Sequence, residues 1–163
     1  MSQTKYKLPD DLKIRCIALV RGYKRMLKEY GERRYDIIYS SPHSDDQPKG
    51  SGIGDINFSK TVKLQKLEES YDAKTIKAVD TAKLHIGLDI ANEKERQKLT
   101  EAIWDSCIQG RNFILAYRNL CVGKDNFYER RRGFLYEIAF NMGFIHIIQS
   151  KKKTIVHNEH KNL

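Results

Sequence analysis

The 163-residue chain has no hydrophobic run that could cross a membrane, since a spanning helix needs about 18 or more largely apolar residues in succession. Residues 1–15 contain no apolar stretch of signal-peptide length either. The three cysteines, Cys16, Cys107 and Cys121, are odd in number and far apart, which argues against the disulfide framework of a small secreted protein. We therefore expect a cytoplasmic protein with reduced, packed thiols and no membrane partner.

The sequence also lacks the short motifs of common enzymes: a Walker loop, a GxGxxG pattern, a GxSxG elbow and a zinc-protease HExxH are all absent. His157 and His160 have a metal-like spacing, but they lie in a polar tail without a cysteine pair. His85 fits an ordinary packed or solvated helical histidine. Two pairs of adjacent aspartates fit a helix start and a linker. We expect neither an enzyme nor a bound metal or cofactor.

Positive charge is present in excess. Lys and Arg number 30 against 21 Asp and Glu, which gives a net charge of +9 and a pI near 9.4. Residues 111–163 alone contain ten Lys or Arg and four Asp or Glu. A local basic excess favours a polyanionic partner, because bound cations release the counterions of a phosphate backbone.

The pattern of apolar residues predicts a mainly α fold. Its first helix runs from Asp10 to about Glu29, and Pro9 with the two acids that follow it suits the start of a helix. One side of this helix has the spacing of a coiled-coil seam. The seam residues are Leu12, Cys16, Leu19, Tyr23, Met26 and Tyr30. The seam favours an intramolecular helix pair, and a homodimer is the alternative, because about three heptads are few for a free coiled coil.

The remaining chain divides at a stretch rich in Ser, Pro, Gly and Asp. We expect an N-terminal helical region at 1–39, a flexible linker at 40–57, a helical domain at 58–143 and a basic tail at 144–163. Residues 33–41 fit either a strand or an extension of the first helix. The tail fits either a small β hairpin or a basic arm.

Two helical segments are predicted within the central domain. One runs from residues 57–59 to about Ile90, and Gly87 is a candidate for interrupting it near its end. The other opens at Asn92 with a capping-box-like Glu95 and closes at Gly110. Trp104 of the second segment is expected in the core.

Residues 112–143 have the layout of a helix-turn-helix. A short support helix at 112–120 with Ala116 and Leu120 facing inward is followed by a turn in which Val122 can plug the core, and then by a helix from about Asp125 to Asn141 that ends at Gly143. The residues expected on the buried side of this second helix are Phe127, Phe134, Leu135, Ile138 and Met142.

Polar and basic side chains on the opposite side of the second helix, with more in the flanking segments, are candidates for contact with double-stranded DNA. Arg can form a fork to guanine, Asn to adenine, Glu can accept from cytosine, and Lys and Tyr can bind phosphates. The candidates are Lys124, Asn126, Tyr128, Glu129, Arg130 at the margin, Arg131, Arg132, Arg118, Lys151, Lys152 and Lys153. The alternative is an ordinary amphipathic helix whose three arginines form a solvated face.

Residues 121–143 resemble the C-terminal helix-turn-helix of phage-encoded late transcription regulators of the RinA and ArpU type, which is similar to region four of sigma-70 factors. The matching positions are Val122, Phe127, Tyr128, Arg130 to Arg132, Leu135, Ile138, Ala139 and Gly143. The resemblance implies binding to a phage or prophage promoter or operator and activation of late genes, with RNA polymerase as a further candidate partner. A small terminase-like packaging subunit and a protein-interaction module such as an inhibitor are the alternatives.

Overall fold

The computed structural model describes residues 6–40, 53–110, 112–113 and 119–145. Within these ranges the chain forms five α-helices and no strand. The helices are α1 (Asp10–Tyr39), α2 (Ile53–Glu68), α3 (Tyr71–Leu84), α4 (Glu93–Gln109) and α5 (Lys124–Asn141). The prediction of a mainly α protein is confirmed. None of the described helices combines the length and the apolar character that a membrane span requires.

Helix α1 is longer than the sequence predicted. It runs through Gly31 and ends at Tyr39, so residues 33–39 extend the helix and the predicted end near Glu29 is wrong. Glycine in a helix costs only about 1 kcal/mol, which tertiary contacts can offset. Such contacts are present, since Lys60 of α2 donates to the Ile38 carbonyl at 2.8 Å and Arg33 lies 3.8 Å from Asp72 of α3.

The prediction of one continuous helix from residues 57–59 to Ile90 is wrong, because the structure has two helices, α2 and α3, in this region. Ser70 caps the start of α3, where its hydroxyl accepts from the Ala73 amide at 3.3 Å. Helix α3 ends at Leu84, and Gly87 has a positive φ of 69° in the turn that follows. Helix α2 starts at Ile53, inside the predicted linker. Residues 41–52 of that linker lie outside the described residues.

Helix α4 has the ends that were predicted. The Asn92 side chain accepts from the amides of Lys94 at 3.0 Å and Glu95 at 3.3 Å. At the other end Gly110 takes the left-handed conformation, with a φ of 67°. Trp104 is buried, as expected.

The core lies between α1, α3, α4 and α5. Cys16 and Val20 of α1 belong to the same hydrophobic cluster as Leu99 and Ile103 of α4 and Ile138 of α5. The seam of α1 is therefore used inside the chain, and the N-terminal helix shares one core with the C-terminal helices.

The seam residue Tyr23 ties α1 to two neighbouring helices. Its ring packs edge-on against Trp104 at 5.3 Å, and its hydroxyl donates to Asp80 at 2.6 Å. Among the thiols, Cys16 and Cys107 are buried, but Cys121 is exposed. The prediction of a packed Cys121 is wrong because this residue lies in the turn before α5.

Candidate nucleic-acid interface

Parts of the predicted interface lie outside the described residues. These parts are most of the support helix, including Ala116 and Arg118, and the tail from residue 146 with Lys151, Lys152 and Lys153. The predicted hairpin falls largely in that tail. Leu120, at the end of the predicted support helix, and Val122 of the turn are half-buried and pack against the core. The position of Val122 agrees with its predicted role as the apolar member of the turn.

Helix α5 is anchored by its apolar side. Phe127, Phe134, Leu135 and Ile138 are all buried, as predicted, and Met142 is partly buried against the same cluster. The Phe127 ring also packs against Phe113 at 5.6 Å. This anchoring fixes which side chains of α5 point away from the core.

The first two turns of α5 are exposed on their outer side. Lys124, Asn126 and Glu129 all lie in solvent, and the helix starts at Lys124, one residue earlier than predicted. Its N-cap is Gly123, which has no side chain to cap the helix, and the Phe127 amide donates to the Gly123 carbonyl at 2.9 Å. The start of α5 is therefore an open end, where Asn126 and Glu129, three positions apart, share the outer face and Lys124 is exposed in the first turn.

Arg130 is engaged by the turn that follows α3. Its guanidinium donates two hydrogen bonds to Asp89, at 2.7 and 2.6 Å, and a third to the Asn126 side-chain oxygen. Hydrogen bonding from Arg130 holds the pKa of Asp89 at about 2, well below its usual value. The charge of Arg130 is therefore offset by a partner, and its fork is already occupied.

Tyr128 has a positioning role within the fold. It is half-buried, its hydroxyl accepts from the Phe113 amide at 3.2 Å, and its ring packs edge-on against Phe127 at 5.4 Å. These contacts connect the start of α5 to the segment before it. Tyr128 thus holds the turn while Lys124, Asn126 and Glu129 remain accessible.

Arg131 does not lie opposite the buried side, and its predicted placement is wrong. Residues three and four positions apart share a helix face, so Arg131 lies on the same side as Phe127, Phe134 and Leu135. It is half-buried against Cys107 of α4. Burial raises the pKa of the Cys107 thiol, and the charge and hydrogen bond of Arg131 oppose that effect.

Arg132 lies at the other flank of α5, beside residues 6–9, the N-terminal segment that precedes α1. It is half-buried, and its Nε is shielded from solvent without a hydrogen-bond partner. Lys7 and Lys13 border the same cleft, and sequence reasoning missed both. The one available signal was Gly133 inside a basic helix, because a missing side chain permits a close approach by another segment.

A second cleft, of about 670 Å³, lies between α5 and the turn after α3. Its polar lining includes two pairs that are already formed, His85 with Glu137 and Arg130 with Asp89. In the part of the chain that the structure describes, no three side chains gather in a way that could hold a metal ion.

Comparisons with protein-family models, with curated proteins and with solved structures find no match to this chain.

Proposed function

We propose that the protein is a sequence-specific regulator of transcription that acts in the cytoplasm by binding double-stranded DNA. The observation that carries this proposal is the geometry of α5, whose apolar side is buried while the outer side of its first two turns is exposed directly after a short turn. A recognition helix needs this arrangement, because its N-terminal residues must enter the major groove while the rest remains anchored.

The exposed side chains have complementary roles in such a groove. Lys124 can bind a phosphate or a guanine, and Glu129 can accept from the cytosine amino group. The Asn126 side-chain oxygen already accepts from Arg130, so its amino group is the part best placed to donate to a base. The resemblance to phage late regulators extends the proposal to activation of late genes, with RNA polymerase as a partner.

Selection of bound duplexes from a random library, followed by fluorescence anisotropy at about 0.15 M salt, tests the proposal. We expect a defined sequence to be enriched and to bind at least 10³-fold more tightly than random DNA, as is typical of specific binding. Equal affinity for selected and random duplexes would contradict the proposal.

Two substitutions locate the contact. Asn126→Ala should lower affinity for the selected duplex by about 1 to 3 kcal/mol and relax the preference at one base pair. Lys124→Gln should weaken binding to every sequence. The matched control is Lys98→Gln, which removes the same charge from an exposed position of α4 and should leave binding unchanged. Equal losses in Lys124→Gln and Lys98→Gln would show that the first turn of α5 is not the contact surface.

A further inference from the structure

Residues 6–9, which precede α1, cross the outer side of α5. The Tyr6 ring packs against Tyr136 at 5.6 Å and lies over Gly133, where an added Cβ would come within 3.1 Å of the ring. Any larger residue at position 133 would push the ring away. Glycine here permits a close approach that brings the next residue, Lys7, to the flank of α5.

A cleft of about 500 Å³ lies at this crossing, and three cationic side chains border it. Lys7 comes from the N-terminal segment, Lys13 from the first turns of α1 and Arg132 from α5. Asp10 is the one acidic residue among the lining residues. It lies 4.0 Å from the Lys13 amine, and the Asp10 side chain is 94% exposed, so this ion pair is weak. The cleft keeps an excess of positive charge.

Arg132 is incompletely satisfied in this cleft. Its Nε is shielded from solvent and has no hydrogen-bond partner, and no ion pair among the described residues involves Arg132. The Nε of Arg131 is likewise shielded and unpaired, so Arg132 differs from Arg131 not in this atom but in its position in a cleft beside two lysines. A planar guanidinium fork matches the oxygens of a phosphate, and two nearby ammonium groups add charge.

From this geometry we propose that Lys7, Lys13 and Arg132 form a binding site for a phosphate group. Two sources have this chemistry, a phosphodiester of the DNA backbone and free phosphate. The first rests on the proposed function and fits its geometry. Arg132 follows Lys124 by eight positions, which is about 12 Å along a helix axis. The major groove is also about 12 Å wide, so a phosphate at its border can reach the cleft.

The first experiment tests the phosphate chemistry without DNA. Thermal unfolding of the full chain is followed in inorganic phosphate and in chloride at matched pH and ionic strength. We expect phosphate to raise the Tm of the wild type, because a ligand of the folded state stabilises it. The rise should disappear in Lys7→Gln/Lys13→Gln and in Arg132→Gln. It should persist in the control Lys94→Gln/Lys98→Gln, which removes two exposed charges from α4.

The second experiment measures how binding of a random-sequence duplex depends on salt. Loss of one phosphate contact should lower the slope of log K against log salt by about 0.9, which corresponds to about fivefold in affinity at 0.15 M salt. We expect this change in Lys7→Gln/Lys13→Gln and none in the α4 control. Circular dichroism checks that every variant remains folded, and the lysine variant serves alone if Arg132→Gln unfolds.

The outcomes separate this site from the proposed function. A phosphate effect that requires the three residues, in a protein that binds no DNA, would support the site and contradict DNA binding. If the variants lose the Tm rise in phosphate but keep the wild-type slope of log K against log salt, free phosphate is the ligand. The site would be overturned if the variants bind DNA with the wild-type salt slope and if phosphate either fails to raise the Tm of the wild type or raises the Tm of the variants equally. That result would not contradict the proposed DNA binding.

Discussion

Gly133→Ala offers a test of how the N-terminal segment lies on α5. In an exposed helix this substitution stabilises by about 1 kcal/mol, because alanine has the better helix propensity. At this position the new Cβ would lie 3.1 Å from Tyr6 Cε2, 3.4 Å from Cδ2 and 3.5 Å from Cζ. Carbon atoms in favourable contact are about 3.5 to 4.0 Å apart. The ring must therefore move by about 0.4 Å or more.

Displacement of the Tyr6 ring should offset part of the stabilisation that alanine provides through its helix propensity. Tyr6 precedes α1 and packs against Tyr136, so the ring can shift at the expense of that contact. We expect Gly133→Ala to stabilise the wild type by about 0.5 kcal/mol and the Tyr6→Ala variant by about 1 kcal/mol. The difference, about 0.5 kcal/mol, is the coupling energy between the two positions.

Urea denaturation of the four proteins in this double-mutant cycle measures the coupling. Several repeats are needed, because the expected difference is small. Strictly additive substitutions would show that Tyr6 does not lie on Gly133 in solution. A loss of more than about 1 kcal/mol in both backgrounds would show that another, rigid neighbour fills this space.

Three further predictions concern stability. Phe134→Ala should lower the free energy of unfolding, measured by urea denaturation, by about 3 to 5 kcal/mol, because Phe134 is only 2% exposed. Phe140→Ala, at a 43% exposed position, should change it little. Equal losses in the two variants would contradict this packing. Asn92→Ala should cost about 1 kcal/mol by loss of its cap and Asn92→Asp much less; equal effects would argue against the cap. The pKa of Asp89 is lowered from 3.8 to about 2. Its pair with Arg130 should therefore stabilise the folded state fully above pH 3.8, and this stabilisation should be lost as the pH falls towards 2. An NMR titration of Asp89 with an ordinary pKa would refute the pair.

Helix ends that depend on local chemistry were predictable from the sequence. Asn92 and Gly110 bound α4 as expected, because a side-chain cap and a left-handed glycine act over a few residues. The break between α2 and α3 also has a local signal, Ser70 followed by the acidic Asp72, but the apolar pattern on both sides of it favoured one helix. The length of α1 had no such signal, since distant contacts from Lys60 and Asp72 support its last turns.

The candidate site was predictable only in part. The buried side of α5 follows from helical spacing, and the same spacing places Arg131 on that side, although the prediction from sequence placed it on the opposite side together with Arg132. The pair of Arg130 with Asp89 joins residues 41 positions apart. The cleft joins Lys7 with Arg132 from nearly opposite ends of the described chain. The tertiary fold determines both juxtapositions, and no local pattern encodes them.

The three consecutive arginines of α5 do not act as one basic patch, because successive residues of a helix point about 100° apart. Arg130 faces Asp89, Arg131 faces Cys107 and Arg132 faces the cleft that Lys7 and Lys13 border. If the run contacted DNA as a block, each arginine would contribute about 0.9 to the salt slope. With separate surroundings, Arg132→Gln should lower the slope by about 0.9 while Arg131→Gln leaves it unchanged. Anisotropy titrations from about 50 to 200 mM salt measure both slopes, and equal reductions in the two variants would show that the arginines contact DNA as one patch.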